Sequence, residues 1–321
     1  MRTRLFATRR LPVDPAEVVG PDVFVSCFEG DRAPTSEEIA DGARSAHGLV
    51  SLVTDRVDGA LLDRLPNLRV VAQMAVGFDN VDVAACRARG IVVTHTPDAL
   101  TDSTAELALG LILAVARRFH EGEALVRSGA WRGFSPTLLL GRELAGRTLG
   151  IVGYGRIGRA VGRRAAAFGM RVLASTREES PFAPDGVATH VPLARLLAES
   201  DVVSLHCPAT PSTRHLIGDA ELDAMRHGAI LVNTSRGNVV DEGALVRALE
   251  RRHLGGAGLD VFEREPAVHP GLLGRTDVVL LPHLGSATVE ARARMAVSAL
   301  EDACRVARGE PPRHPVPETA R

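Results

Sequence analysis

The sequence predicts an α/β protein built from two parallel-sheet domains. Two observations lead to this. Short apolar runs alternate with helical patterns in two separate series, one before residue 100 and one after residue 147. A glycine loop, Gly153-Tyr154-Gly155-Arg156-Ile157-Gly158, opens the second series and so stands near the middle of the 321 residues. A chain of this length accommodates two ordinary domains.

In the first series, residues 23–27, 48–53, 68–74 and 91–96 are short, mainly apolar runs, which read as buried parallel strands. Residues 35–43, 58–65 and 81–89 read as helices, each begun by or near a capping Thr or Asp. A small open sheet follows from this alternation. Residues 98–120 then read as a single long helix, with caps and acids at its start and a nearly all-apolar body, as a buried helix has. Residues 129–146 are irregular.

The second series starts with an apolar run at 148–152, then the glycine loop, then a helical stretch at 159–168. Further strands are expected at 171–175, 201–206, 229–234, 256–260 and 278–281, and helices at 194–199, 219–225 and 241–252. A closing helix, 287–308, precedes a proline-rich polar tail. Strand, glycine turn and helix in that order form a dinucleotide-binding signature. The first glycine permits the turn, the second lets a pyrophosphate approach the backbone, and the third lets helix pack on strand. Free N–H groups at the helix start then face the phosphates.

Composition narrows the function. The sequence contains no lysine, so all 38 basic residues are arginine. Phosphate-loop, Schiff-base and pyridoxal-phosphate lysines are therefore excluded. The only tyrosine, Tyr154, lies inside the glycine loop, which removes any Tyr–Lys acid pair. The proton donor has to be His, Asp, Glu or Cys. A net charge of −1 offers no electrostatic case for nucleic acid or an anionic membrane. The longest apolar stretch, 107–116, is too short to span a bilayer. Four scattered cysteines without CxxC spacing, and a start without a signal-peptide core, suit a reduced cytoplasmic protein without structural zinc.

Ligands of open parallel sheets sit beyond the carboxyl ends of the strands. In the second series those ends are followed by Ser235-Arg236-Gly237, by Val261 to Pro266, and by Pro282-His283-Leu284-Gly285-Ser286. An arginine, carboxylates and a histidine thus converge on one rim. Arginine offers a planar fork to a carboxylate and polarises an adjacent carbonyl. Histidine delivers a proton near neutral pH, and a nearby glutamate orients the imidazole and favours its charged form. The set suits hydride transfer to a 2-oxo acid, with nicotinamide as the hydride source. Cys207 has no base beside it in sequence and reads as pocket lining. His206, His215 and His227 read as structural or solvated.

These segments, taken in order, resemble the D-isomer-specific 2-hydroxyacid dehydrogenase family, and most closely its glyoxylate/hydroxypyruvate reductases. The resemblance runs from about Gly48 to Pro312. It is carried by Ala75-Val76-Gly77-Phe78-Asp79, by Thr96 to Glu106, by the glycine loop, and by His206-Cys207-Pro208. Asn233-Thr234-Ser235-Arg236-Gly237, Gly258 to Phe262 and Pro282 to Ala287 complete it. It implies a Rossmann cofactor domain inserted into a discontinuous, flavodoxin-like substrate domain: doubly wound sheets at 99–285 and at 1–98 with 286–321.

The family's catalytic arginine, glutamate and acid histidine fall on Arg236, Glu265 and His283. Its backbone grip on the substrate carboxylate falls on Val76 and Gly77, and Ser286 completes the substrate set with Arg236 and His283. Its carboxamide-binding aspartate falls on Asp260. The implied cofactor set comprises Thr104, Gly153, Gly155, Arg156, Ile157, Gly158, Ser175, Thr176, Arg177, Cys207, Pro208, Thr213, Thr234, Asp260 and Gly285. A homodimer through the cofactor domain is also implied.

Two features depart from the family pattern. An acid that would hold an NAD ribose is expected where this sequence reads Ser175-Thr176-Arg177, which favours NADP(H) over NAD(H). Glu178 and Glu179 leave NAD(H) open through a small register shift. Mammalian reductases of this branch carry a tryptophan near position 139, where this chain has leucine. Two other readings remain open: a 3-phosphoglycerate or other D-2-hydroxyacid dehydrogenase on NAD, and a dinucleotide-sensing partner-binding protein of corepressor type.

Overall fold

The protein is described from a computed structural model, which covers residues 2–176 and 185–319. The chain divides into two compact units, Met1–Leu100 with Ala287–Arg321, and Thr101–Ser286.

The first unit is a five-stranded parallel sheet. Its strands are β1 (Thr3–Ala7), β2 (Val23–Cys27), β3 (Gly48–Ser51), β4 (Val70–Gln73) and β5 (Val92–Thr94), in the order β2-β1-β3-β4-β5. This is the doubly wound order of flavodoxin-like sheets. Alternate residues bury on opposite faces. Phe6, Leu49, Val71 and Val93 pack under α2 (Ser36–Ala43), α3 (Gly59–Asp63) and α4 (Val83–Ala88). On the other face Leu5, Ala7, Val50, Val70 and Ala72 meet Met295, Ala296, Ala299, Leu300 and Ala303 of α12 (Val289–Ala307), the helix supplied by the far end of the sequence. Each expected helix here forms one or two residues inside its bounds, because Thr35, Asp58 and Asp82 are N-caps whose side chains accept backbone N–H groups. Strand β1 and α1 (Pro15–Val19) were not expected. Arg2-Thr3-Arg4 breaks up the apolar run that starts the chain.

The second unit is a seven-stranded parallel sheet. Its strands are β6 (Thr148–Val152), β7 (Arg171–Ser175), β8 (Ala188–His190), β9 (Val202–Leu205), β10 (Ile230–Asn233), β11 (Gly256–Leu259) and β12 (Val278–Leu280). The order β12-β11-β10-β9-β6-β7-β8 is the dinucleotide-binding arrangement extended by one strand. Strand order reverses between β6 and β9. β8 is a polar edge strand that the apolar criterion misses, and its Thr189 and His190 are exposed. The strands are joined by α7 (Arg156–Ala167), α8 (Leu193–Glu199), α9 (Asp219–Ala224), α10 (Glu242–Glu250) and α11 (Pro270–Leu273).

The long helix expected over 98–120 is two helices, α5 (Thr101–Ala116) and α6 (Phe119–Arg127). The cause is non-local. The N–H of Arg142 takes the Ala116 carbonyl at 2.8 Å, and Arg118 turns left-handed at φ 55 to start α6. Its guanidinium then clamps Glu121 with two 2.7 Å bonds.

Candidate active site

Strand β6 delivers the chain to Gly153 at φ 92, where a Cβ would stand 2.6 Å from the Cys207 backbone nitrogen. Only glycine fits both the conformation and the approach. Gly155 is the N-cap of α7, and no side chain caps the helix's first amides. A Cβ on Gly158 would lie 2.3 Å from the Gly153 carbonyl oxygen, which is the close helix–strand packing the motif requires. Tyr154, at the centre of the loop, is fully buried. Its hydroxyl donates to Asp185 at 3.0 Å, and the Arg159 guanidinium lies 5.2 Å from its ring centroid. Burial, then the Asp185 bond, pushes its pKa up to about 12, so it is a structural pin and not an acid.

The Ser175 carbonyl accepts the Gly153 N–H at 2.8 Å, so the end of β7 is fixed beside the loop. Thr176, next along, is exposed. Arg177, Glu178 and Glu179 lie outside the described residues.

Across the switch point, β9 leads into His206, Cys207 and Pro208. Burial pushes the Cys207 thiol up to about 11, so it is neutral and lines the turn. Burial likewise holds His206 down to about 3. The His206 ring lies 2.8 Å from the Ser204 hydroxyl and 3.4 Å from that of Thr234. The Thr213 hydroxyl donates to the Pro208 carbonyl at 2.7 Å and accepts from the Thr210 N–H. It thereby fixes the turn that carries Cys207.

The rim beyond β10, β11 and β12 is assembled by three interlocking turns. After β10, the Asn233 amide donates to the Arg236 carbonyl at 2.9 Å and its oxygen accepts from Ser235. The Arg236 guanidinium donates to the Ser235 carbonyl at 2.9 Å. A Cβ on Gly237 would overlap the Phe262 carbonyl carbon at 1.8 Å, so the arginine turn lies flat on the turn after β11. There the Glu265 carboxylate uses both oxygens. One accepts the Phe262 N–H at 3.1 Å. The other accepts His283 Nδ1–H at 2.9 Å.

Burial opposes ionisation of Glu265. The His283 hydrogen bond and charge, the Phe262 N–H and the Arg236 charge outweigh it and hold the carboxyl below its ordinary range. With Nδ1 committed, His283 keeps Nε2 for a ligand.

The third turn is held from below. Buried Asp260 accepts the Leu284 N–H at 2.6 Å and the Gly285 N–H at 2.8 Å, and its carbonyl takes the His283 N–H. Burial raises its pKa, against the pull of those two N–H bonds. Thr104, buried on α5, donates to the Gly285 carbonyl at 3.0 Å. Asp260 and Thr104, read from sequence as cofactor contacts, are thus also the supports of the His283 turn. Ser286 follows, half-buried.

In the first unit, Val76 and Gly77 lie on the turn after β4. Thr96 N–H binds the Ala75 carbonyl at 2.9 Å and His95 Nδ1–H the Val76 carbonyl at 2.9 Å. Among the described residues, the N–H groups of Val76 and Gly77 make no hydrogen bond. Sequence reading passed over His95, a lone histidine without a motif of its own. Among the described residues, no cluster of His, Cys, Asp or Glu is arranged to hold a metal, and no helix is long and apolar enough to cross a membrane.

Residues 109–285 match the family model described as D-isomer specific 2-hydroxyacid dehydrogenase, NAD binding domain. A curated glyoxylate reductase from Thermococcus litoralis is 45% identical over 317 residues, covering 97% of this chain and 96% of its own. The chain belongs to the D-isomer-specific 2-hydroxyacid dehydrogenase family.

Solved structures superpose closely. The TT0316 protein of Thermus thermophilus has a TM-score of 0.92 at 46% identity, over 98% of this chain and all of its own. An NADPH-dependent glyoxylate/hydroxypyruvate reductase from Sinorhizobium meliloti, solved with NADP and malonate, has a TM-score of 0.86 at 35% identity, over 99% and 98%. As a family member this chain is a D-2-hydroxyacid dehydrogenase with an NAD-type binding domain, and its substrates are small 2-oxo and 2-hydroxy acids. The Gly153 approach, the uncapped amides of α7 and the neutral, buried Cys207 fit a dinucleotide pyrophosphate.

Proposed function

We propose that this chain reduces glyoxylate or hydroxypyruvate to the D-2-hydroxy acid, with NADPH preferred over NADH. The observation that carries the reading is the 2.9 Å bond between His283 Nδ1 and Glu265, a carboxylate that also feels the Arg236 charge, which leaves Nε2 as proton donor. A reduced nicotinamide supplies the hydride when bound. Arg236 holds the acid and polarises its 2-oxo group. His283 Nε2–H protonates the developing alkoxide, and the Glu265 carboxylate stabilises the imidazolium before transfer. The Val76 and Gly77 N–H groups hold the substrate carboxylate, with Ser286 as a further polar contact. The remaining cofactor roles fall on Arg156, Ile157, Ser175, Thr176, Pro208, Thr213, Thr234 and Gly285.

The NADPH preference rests on Ser175-Thr176-Arg177, where no carboxylate stands to repel a 2′-phosphate. The names of the Thermococcus and Sinorhizobium relatives support the substrate class. No arginine adjoins Val76 to receive a phosphorylated substrate, which disfavours a phosphoglycerate dehydrogenase. The Glu265–His283 pair disfavours a pure binding protein.

We place the protein in the cytoplasm, in keeping with its free cysteines. We also read it as a homodimer through the second unit, where Phe119, Val126, Trp131, Phe134, Leu138 and Leu140 are exposed along one segment.

The test is a steady-state panel of NADPH and NADH against glyoxylate, hydroxypyruvate, phosphohydroxypyruvate and pyruvate. Arg236→Ala and His283→Ala should each lower turnover by about 100-fold or more. Retention of near-wild-type turnover by both variants overturns the assignment.

A further inference from the structure

We propose that Gln73, Asn80 and His95 are positioning residues. They hold the Val76–Gly77 turn with its carbonyls bound to the protein and its N–H groups left for a substrate carboxylate. The inference rests on the reading of that turn as the carboxylate grip, and adds the residues that make it one.

Four successive carbonyls of the turn are occupied. That of Ala75 takes Thr96 N–H and that of Phe78 takes Val81 N–H, at 2.9 and 3.0 Å. The two between them, on Val76 and Gly77, are bound by side chains: His95 Nδ1 at 2.9 Å and Gln73 Nε2 at 3.4 Å. When every carbonyl of a short turn is bound within the fold, its amide N–H groups are directed elsewhere. Those of Val76 and Gly77 bind nothing among the described residues. Both residues are half-buried, so a ligand can reach these two donors.

The orientation of the amides in this network is determined by its far end. One nitrogen of Asn80 faces two acceptors, the Leu52 carbonyl at 2.9 Å and the Asp55 carbonyl at 2.7 Å, so it must be the NH2 group. Asn80 Oδ1 then faces Gln73 at 2.8 Å, and the Gln73 atom there must be Nε2. The second hydrogen of that nitrogen is the one offered to Gly77. Gln73 Oε1 is left to accept from the Ser51 hydroxyl at 2.7 Å. Gln73 and Ser51 are fully buried. No member of the chain can reverse without setting like groups against each other, so the register of donors and acceptors reaches the turn undisturbed. His95 is fixed in the same manner. A carbonyl only accepts, so its Nδ1 carries the hydrogen, and its ring stands edge-on to Phe78 at 5.6 Å.

The experiment titrates oxalate, an unreactive two-carbon acid, into the full-length protein loaded with NADPH, alongside steady-state kinetics. The variants are His95→Leu, which removes a donor, His95→Gln, which keeps one, and Asn80→Asp, which sets carboxylate oxygens against two carbonyls. His95→Leu and Asn80→Asp should weaken oxalate binding by about 10-fold or more. The KM for the 2-oxo acid should rise in step, with kcat changed less and NADPH affinity kept. His95→Gln should recover oxalate binding to within about threefold of wild type.

Folded variants that bind oxalate within twofold of wild type overturn the proposal. So does a parallel loss of oxalate and NADPH affinity, the mark of general damage, and so does a wild-type protein that does not bind oxalate. Wild-type protein that binds oxalate but reduces no 2-oxo acid overturns the reductase reading alone, and the variants still decide the inference.

Discussion

Replacing Asp260 by Asn tests how the His283 turn is held. The carboxylate accepts one N–H on each oxygen, from Leu284 at 2.6 Å and Gly285 at 2.8 Å, and the side chain is 1% exposed. Asparagine keeps one acceptor and presents an NH2 group to the other N–H. One charge-assisted bond, worth about 1.5–3 kcal/mol, is lost, and one buried donor faces another donor at a cost of about 1–3 kcal/mol. Removing a buried charge returns part of this, since burial already works against ionisation of Asp260. A net loss of about 2–4 kcal/mol corresponds to a fall in Tm of roughly 5–15 °C. Because the His283 N–H also rests on the Asp260 carbonyl, the imidazole should shift with the turn, and a displacement of about 1 Å costs on the order of 100-fold in rate. Differential scanning calorimetry and single-turnover reduction at saturating NADPH read the two effects. A variant within 2 °C of wild type that keeps its kcat would show that this carboxylate does not organise the turn, and the reasoning would be refuted.

Further outcomes follow from the same geometry. Glu265 is held below the ordinary carboxylate range, so its contribution to stability is complete above the unfolded pKa and is lost as pH falls through the lower folded one. The stability gap between wild type and Glu265→Gln should therefore be constant at neutral pH and narrow below about pH 4.5; a gap that widens on acidification would contradict the pairing. Cys207, with its thiol pushed up to about 11, should resist iodoacetamide at pH 8 in the folded protein while half-exposed Cys27 reacts, as peptide mapping would show. Gly153→Ala should abolish NADPH binding by fluorescence titration, because its Cβ would be driven against the Cys207 backbone and not against a yielding side chain.

Much of the fold was legible because strands buried on both faces write themselves as apolar runs. Strands β2, β6 and β7 have the bounds the sequence suggested, and the other expected strands lie within theirs by a residue or two. What escaped depends on partners distant in sequence or on polar edges. The break after Ala116 is made by the N–H of Arg142, and no residue in the helix announces it. β8 has only an alanine to offer an apolar criterion.

At the site, the rule that ligands gather at strand ends located the turns carrying Arg236, Glu265 and His283, and the 2.9 Å Glu265–His283 pair was anticipated as an orienting contact. The supporting residues were harder to see. Asp260 and Thr104 were read only as ligand contacts, although their hydrogen bonds hold the His283 turn. The motif at 75–79 stops one residue short of Asn80. Gln73, within an apolar strand, carries no local signal that its amide faces a turn.

The first unit's sheet is closed on one face by α12, which comes from the opposite end of the chain. A ribosome therefore releases β1 to β5 long before the helix that covers Leu5, Val50, Val70 and Ala72 exists. During that interval the second unit can complete its own core, whereas the first holds an uncovered apolar face. A fragment ending at Leu100 would keep that face permanently and should associate or bind chaperones where the whole chain does not. Reordering the gene so that residues 287–321 precede residue 1 would supply the helix first, and would convert a structure completed last into one that folds as it emerges.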